Sequence, residues 1–185
     1  MNVEATSLPG VLVIEPRVFG DRRGYFQETW VRDRYAEIGV PERFVQDNLS
    51  LSRKNTLRGL HFQHPFGQGK LVYVTLGEIF DVALDVRVGS PTFGQWTTAR
   101  LSAENHRQLY IPPGFAHGFC VMSEIAHFAY KCTEAYHPET EMGILWNDPG
   151  LAIPWPTVEP LLSPKDRDFP LLSQVPLYRL PSYPD

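Results

Sequence analysis

Leu71-Val-Tyr-Val-Thr-Leu-Gly-Glu-Ile-Phe-Asp-Val-Ala-Leu-Asp-Val-Arg-Val88 carries the clearest β signal in the chain, and its reading decides the fold class. β-Branched and aromatic residues dominate it, and Gly77-Glu78 interrupts it as a hairpin turn would. In the second arm Phe80, Val82, Leu84 and Val86 point one way and Asp81, Ala83 and Asp85 the other, the period-2 alternation of a strand. Upstream, Gly10 to Ile14, Tyr25 to Trp30, Phe44 to Ser52 and Leu57 to Gln63 read as further strands. Val31 to Ile38 reads as a short helix closed by Gly39 and Pro41. Downstream, Gln95 to Leu101, Gln108 to Ile111, His117 to Met122 and Ala126 to Tyr136 read as strands separated by Gly, Pro and Asn turn signals. Short strands spaced roughly 8–12 residues apart predict an antiparallel sandwich or barrel. After Trp146 the pattern fades into prolines, with Ser163-Pro-Lys-Asp166 suited to cap one short helix. The expected fold is all-β, a jelly-roll-like domain with a few short helices.

Composition agrees. The chain has 185 residues, 43% apolar and 21% charged, which suits one globular domain and excludes a disordered one. Nine of its 17 prolines lie between Pro149 and Asp185, which argues against a helical bundle. Residues 1–185 therefore read as a single domain, with 150–185 a Pro-rich C-terminal segment packing on the barrel. The net charge of -4 gives no support to sequence-independent nucleic-acid binding. Cys120 and Cys132 form neither a disulfide framework nor a C-x-x-C metal motif. No apolar run approaches a membrane span of ~18 residues. Met1 to Gly10 lacks the basic start and apolar core of a signal peptide, so a cytoplasmic location is expected.

His61, in Arg58-Gly-Leu-His-Phe-Gln-His64, is either a satisfied strand histidine or a general base, since imidazole takes a proton near neutral pH. As a base it needs an acceptor on its other ring nitrogen. A metal site competes for the six histidines, but His61 and His64 are three apart, and regular pleating sends them to opposite faces. Lys70 shares a strand face with Val72 and Val74. Turned into a barrel, it stabilises an oxyanion or binds phosphate. Tyr130 alternates with Phe128 and Cys132, as packing residues do, and its phenol is a proton donor at neutral pH. Arg22, Arg23, Arg53, Lys54 and Arg58 make a locally basic set suited to phosphates. No P-loop, Rossmann fingerprint or nucleophile elbow is present.

Taken together, these segments resemble the dTDP-4-dehydrorhamnose 3,5-epimerase family of cupin-type jelly rolls, from about Val11 to Pro170. The resemblance is carried by Phe19-Gly-Asp-Arg-Arg-Gly24 with Glu28, Phe44-Val-Gln-Asp-Asn48 and Leu57-Arg-Gly-Leu-His-Phe-Gln63 with Gln68-Gly-Lys-Leu-Val72. It continues through Phe80-Asp-Val-Ala-Leu-Asp85, Ile111-Pro-Pro-Gly-Phe-Ala-His-Gly-Phe119, Tyr130-Lys131, Trp146-Asn-Asp-Pro149 and Leu162-Ser-Pro-Lys-Asp166. It implies inversion of dTDP-4-dehydro-6-deoxy-D-glucose at C3 and C5, in dTDP-L-rhamnose biosynthesis. By resemblance, His61 is the base, Asp166 its orienting partner, Tyr130 the acid and Lys70 the stabiliser of the C4 oxyanion. Arg23, Glu28, Gln46, Asp47, Asn48, Arg58, His117, Glu141 and Lys165 match ligand-contact positions, and Tyr136 the aromatic that stacks on thymine. The family implies no metal or cofactor, and a homodimer with exchanged N-terminal strands.

The chemistry follows from the substrate. C3 and C5 flank the C4 ketone, so loss of either proton gives an enolate, and inversion requires reprotonation from the opposite face. A base below, an acid above and a cation at the oxygen suffice. Arg58 and His61, three apart, meet one ligand only if Gly59 or the strand's start breaks the pleat, as in a bulge. The side chain of Asp166 is expected to reach a ring nitrogen of His61. A single-site epimerase, a nucleotide-sugar-binding module without turnover and a metal-dependent cupin oxygenase are the competing readings.

Overall fold

The two arms on either side of Gly77 form strands but do not pair with each other. A computed structural model describes residues 1–41 and 43–183. Its strands are β1 (Asn2–Ala5), β2 (Leu12–Glu15), β3 (Val18–Asp21), β4 (Gly24–Gln27), β5 (Gln46–Arg53), β6 (Leu57–Gln63) and β7 (Lys70–Leu76). They continue as β8 (Glu78–Asp85), β9 (Trp96–Ser102), β10 (Gln108–Ile111), β11 (Phe115–Val121), β12 (Ile125–Cys132) and β13 (Glu141–Gly143). The α-helices are α1 (Arg32–Ala36) and α2 (Pro164–Arg167). Among the described residues no helix is long and apolar enough to cross a membrane.

One sheet runs β1-β2-β10-β7-β12-β5 and the other β13-β6-β11-β8-β9, with antiparallel ladders throughout, as an all-β, cupin-like jelly roll requires. The hairpin expected at Gly77-Glu78 is therefore a crossing between sheets. β7 takes its partners from β10 and β12, and β8 from β9 and β11. Gly77, at φ +80°, makes the crossing against the turn between β11 and β12. A Cβ there would sit 2.1 Å from the Ile125 carbonyl oxygen.

Alternation along β8 survives, but both of its faces are buried. Ile79 and Ala83 join Val72, Val74, Phe119 and Phe128 between the sheets. Phe80, Val82, Leu84 and Val86 face outward under a second cluster from the C-terminal segment, including Ile144, Leu151, Val175 and Leu180. Prolines keep that segment from forming strands of its own, and it lies over the outer face of the five-stranded sheet. On the outer face of the other sheet, Tyr35 of α1 packs with Ile14, Val40, Leu71 and Tyr110. Among the described residues β3 and β4 pair only with each other, as a separate two-stranded ribbon.

The strand over Leu57–Gln63 contains the expected break. His117 pairs with His61 and Phe119 with Arg58, so Gly118 alone faces both Gly59 and Leu60. This is a bulge of two residues against one, and it restores Arg58 to the His61 side of the strand. Gly59 permits it. Its φ is +123°, and a Cβ there would lie 2.5 Å from the Gly118 Cα and 2.7 Å from the His117 carbonyl oxygen.

Candidate active site

His61 projects from β6 into a cavity of about 330 Å³ between the sheets, lined also by Lys70 from β7, Tyr130 from β12 and Gln46 and Asn48 from β5. A second chamber of about 210 Å³ shares His61, Lys70 and Tyr130 and adds Arg58, His117 and Phe128. Facing strands of both sheets thus aim alternate side chains into one space.

The C-terminal segment fixes the histidine. Ser163 caps α2 by accepting from the Asp166 backbone N–H at 3.1 Å, while its hydroxyl donates to Asp166 Oδ2 at 2.7 Å. That leaves Oδ1 to meet His61 Nε2 at 2.5 Å. A carboxylate only accepts, so Nε2 carries the proton and Nδ1 offers its lone pair. The Gly59 N–H also points at Oδ1, from 3.4 Å. Burial works to raise the Asp166 pKa, but these donors hold it below the ordinary value. Phe169 lies edge-on to the imidazole at 5.5 Å, completing its seat.

Burial lowers the pKa of Lys70 and raises that of Tyr130. The first is a cation poorly solvated at rest, and the second a phenol that keeps its proton at neutral pH. His117 Nε2 lies 3.0 Å from both carboxylate oxygens of Asp81, and both residues are buried. Burial pushes the His117 pKa down, against the pull of Asp81. Arg58 Nε donates to the Ser52 hydroxyl at 3.1 Å.

At the mouth, Tyr136 is half exposed and donates to Glu141 Oε2 at 2.6 Å, and Lys165 contacts the same carboxylate oxygen. The bond to Glu141 pushes the Tyr136 phenol up to about 12. The Tyr136 backbone N–H donates to Gln46 Oε1 at 2.8 Å, and Gln63 and Gln68 hold neighbouring loop carbonyls. His61, Lys70, Tyr130, Gln46, Asn48, Tyr136, Glu141 and Lys165 therefore surround one cavity, with His117 and the exposed Arg58 lining the adjoining chamber.

Three expected contacts are not brought there by the single chain. Asp47 lies on the opposite side of β5 from Gln46 and Asn48, because successive strand residues alternate. Its carboxylate pairs with Lys131 at 2.9 Å. Arg23 sits on the β3–β4 ribbon, held by Asp21 at 2.6 Å, and Glu28 pairs with Arg34 at 2.5 Å. Of the basic set, only Arg58 lines this cavity among the described residues. The sequence reading missed the partnership of Asp81 with His117, and that of Ser163 with the Asp166 side chain. A carboxylate inside an apolar alternating strand was the available signal for Asp81, since a buried charge needs a partner. Among the described residues no group of three or more His, Cys, Asp or Glu is placed to hold a metal ion.

A cupin-like jelly roll enclosing a carboxylate-anchored imidazole, a protonated phenol and a partly buried ammonium defines a class: an enzyme of acid–base chemistry at a carbon next to a carbonyl. The chain belongs to the dTDP-4-dehydrorhamnose 3,5-epimerase family, whose family model matches residues 5–174. It is 57% identical over 169 residues to the dTDP-4-dehydrorhamnose 3,5-epimerase of Pseudomonas aeruginosa, covering 90% of this chain and 93% of that one. A dTDP-4-dehydrorhamnose 3-epimerase of Streptomyces niveus is 44% identical, over 94% of this chain and 85% of that protein. The crystal structure of the dTDP-6-deoxy-D-glucose-3,5-epimerase of Legionella pneumophila, in complex with dTDP-4-keto-L-rhamnose, superposes with a TM-score of 0.97 at 53% identity. It covers 100% of this chain and 99% of that one.

Proposed function

We propose that this chain inverts dTDP-4-dehydro-6-deoxy-D-glucose at C3 and C5 to dTDP-4-dehydro-L-rhamnose, a step of dTDP-L-rhamnose biosynthesis. The observation that carries the reading is the convergence of His61, Lys70 and Tyr130 on one cavity, with His61 anchored through Nε2. Nδ1 of His61 removes the proton from C3 or C5, and the C–H electron pair passes into the enolate. The Lys70 ammonium, poorly solvated beforehand, gains its full interaction only as charge appears on the C4 oxygen, which favours the transition state over the bound ketone. Tyr130 then gives its phenolic proton to the same carbon from the other face. Tyr136, Lys165 and Gln46 take the nucleotide end, and Arg58 and His117 the sugar end.

In deuterated water the reaction is expected to place one deuterium at C3 and one at C5 of the product, read by NMR. Label at one carbon alone moves the protein to the single-site reading that the Streptomyces niveus likeness keeps open. No label at all, with dTDP still bound, leaves a nucleotide-sugar-binding module.

We infer further that the active form is a homodimer in which the β3–β4 ribbon of each chain serves its partner. Phe19, Tyr25 and Phe26 are exposed on that ribbon, as are Leu49 and Leu51 on the edge strand β5, apolar surface that a lone chain leaves in water. Arg23 and Glu28, remote from their own cavity, then reach the other one. Sedimentation equilibrium is expected to give twice the 21.1 kDa chain mass, and a monomer active at the same specific rate would refute the exchange.

A further inference from the structure

We propose that Glu141 resets the base between the two inversions, taking the proton from His61 and passing it to water at the cavity mouth. The proposal rests on the epimerase reading above. One imidazole and one phenol must serve two carbons in turn. The first inversion moves a carbon-bound proton to His61 Nδ1 and leaves the C–H pair in the enolate. The Tyr130 O–H proton then forms the new C–H bond. What remains is an imidazolium and a phenolate, each in the wrong state for the second carbon. Before the second inversion the imidazolium must lose one proton and the phenolate gain one, with water as the final acceptor and donor. Charge and protons balance over the reset.

Asp166 is badly placed to carry that proton out. Its Oδ1 holds Nε2, its Oδ2 receives the Ser163 hydroxyl, and the residue is only 3% exposed. The proton to be lost sits on Nδ1, and Glu141 Oε1 lies 3.9 Å from that nitrogen, a small side-chain rotation short of a hydrogen bond. Glu141 stands at the boundary between cavity and solvent. Its side chain is 11% exposed, whereas Lys165, which touches its other oxygen, is 48% exposed. Tyr136 and Lys165 are also the groups that the nucleotide recruits. Once they turn to it, Glu141 Oε2 loses both donors and the carboxylate is free to accept. Burial works to raise its pKa, and at present those two donors hold it below the ordinary value. Releasing them removes that downward pull and leaves burial acting to raise it.

The test is Glu141→Gln in deuterated water, quenched at intervals, with C3 and C5 followed by NMR. The quantity read is the ratio of the second inversion rate to the first, which a general loss of substrate affinity leaves unchanged. That ratio is expected to fall roughly tenfold or more, with singly inverted sugar accumulating. In Glu141→Ala, added formate is expected to restore it by supplying a mobile carboxylate. Both rates falling in parallel, or formate failing to raise the ratio, overturns the proposal. A wild-type protein that labels only one carbon overturns the epimerase reading itself, and that result is read without any variant.

Discussion

His61→Asn is expected to abolish deuterium incorporation at both C3 and C5 while dTDP still binds. A positioned general base contributes roughly 10²–10⁴-fold, and in the proposed mechanism one imidazole supplies it for both carbons, so turnover should fall by about 10³-fold or more. Asparagine is the informative replacement because its amide N–H can still donate to Asp166, which would otherwise stay buried with only Ser163 and the Gly59 N–H as donors. The fold is thereby spared and the lone pair at Nδ1 removed. The residues proposed for the nucleotide end, Tyr136, Lys165 and Gln46, lie on other elements and are untouched, so dTDP affinity measured by calorimetry should stay within about threefold. Exchange that continues at the wild-type rate would eliminate His61 as the base. Affinity lost in step with exchange would make its role structural.

The extent to which this site was legible follows from what a strand pattern encodes. Alternation gives the face on which a residue lies, so Phe80, Val82, Leu84 and Val86 are correctly separated from Asp81, Ala83 and Asp85. It does not give the partner strand. Gly77 supplies a turn whether the chain doubles back or crosses to the opposite sheet, and the choice was made by β10, β11 and β12, more than 30 residues downstream. β1 escaped notice because four residues at a sheet edge, with only Val3 partly buried, carry almost no alternating signal. In contrast, the spacing of Arg58 and His61 demanded a bulge, and Gly59 was the residue able to form one.

Resemblance reached further than pattern at the site, since it named positions whose side chains lie far apart in sequence. It grouped Asp47 with Gln46 and Asn48, although pleating turns Asp47 out to Lys131. Arg23 and Glu28 do not line the cavity of their own chain, and the resemblance, which also implies exchanged N-terminal strands, is consistent with their serving a partner's. The pairing of Asp81 with His117 spans 36 residues and that of His61 with Asp166 spans 105. Only the second was anticipated, because only it was carried over as a pair.

Lys70→Met should produce a protein that is more stable and nearly inactive, both for the same reason. The Lys70 side chain enters the cavity from the first residue of β7, and among the described residues its ammonium has no hydrogen-bond or ion-pair partner. Burial depresses its pKa, and Cys132, Glu141 and Asp81 offset this only through space. An ammonium that is only partly exposed and has no protein partner loses some solvation on folding, whereas methionine fills similar volume without the charge, so a gain on the order of 1 kcal/mol is expected. The sign can be checked by titration. With the folded-state pKa below the unfolded value near 10.5, the unfolded chain binds more protons between the two, and wild-type stability rises with pH across that window. The Met variant lacks that increment, so its advantage over wild type narrows as pH approaches 10.5. Turnover moves the other way. Loss of the cation proposed to face the enolate oxygen should lower kcat by roughly 10²–10³-fold, with dTDP affinity little changed. Denaturant melts at neutral and alkaline pH, set beside steady-state rates, separate the two effects. A variant that is less stable than wild type would show that the ammonium is well satisfied at rest, and an unchanged kcat would remove it from the oxyanion.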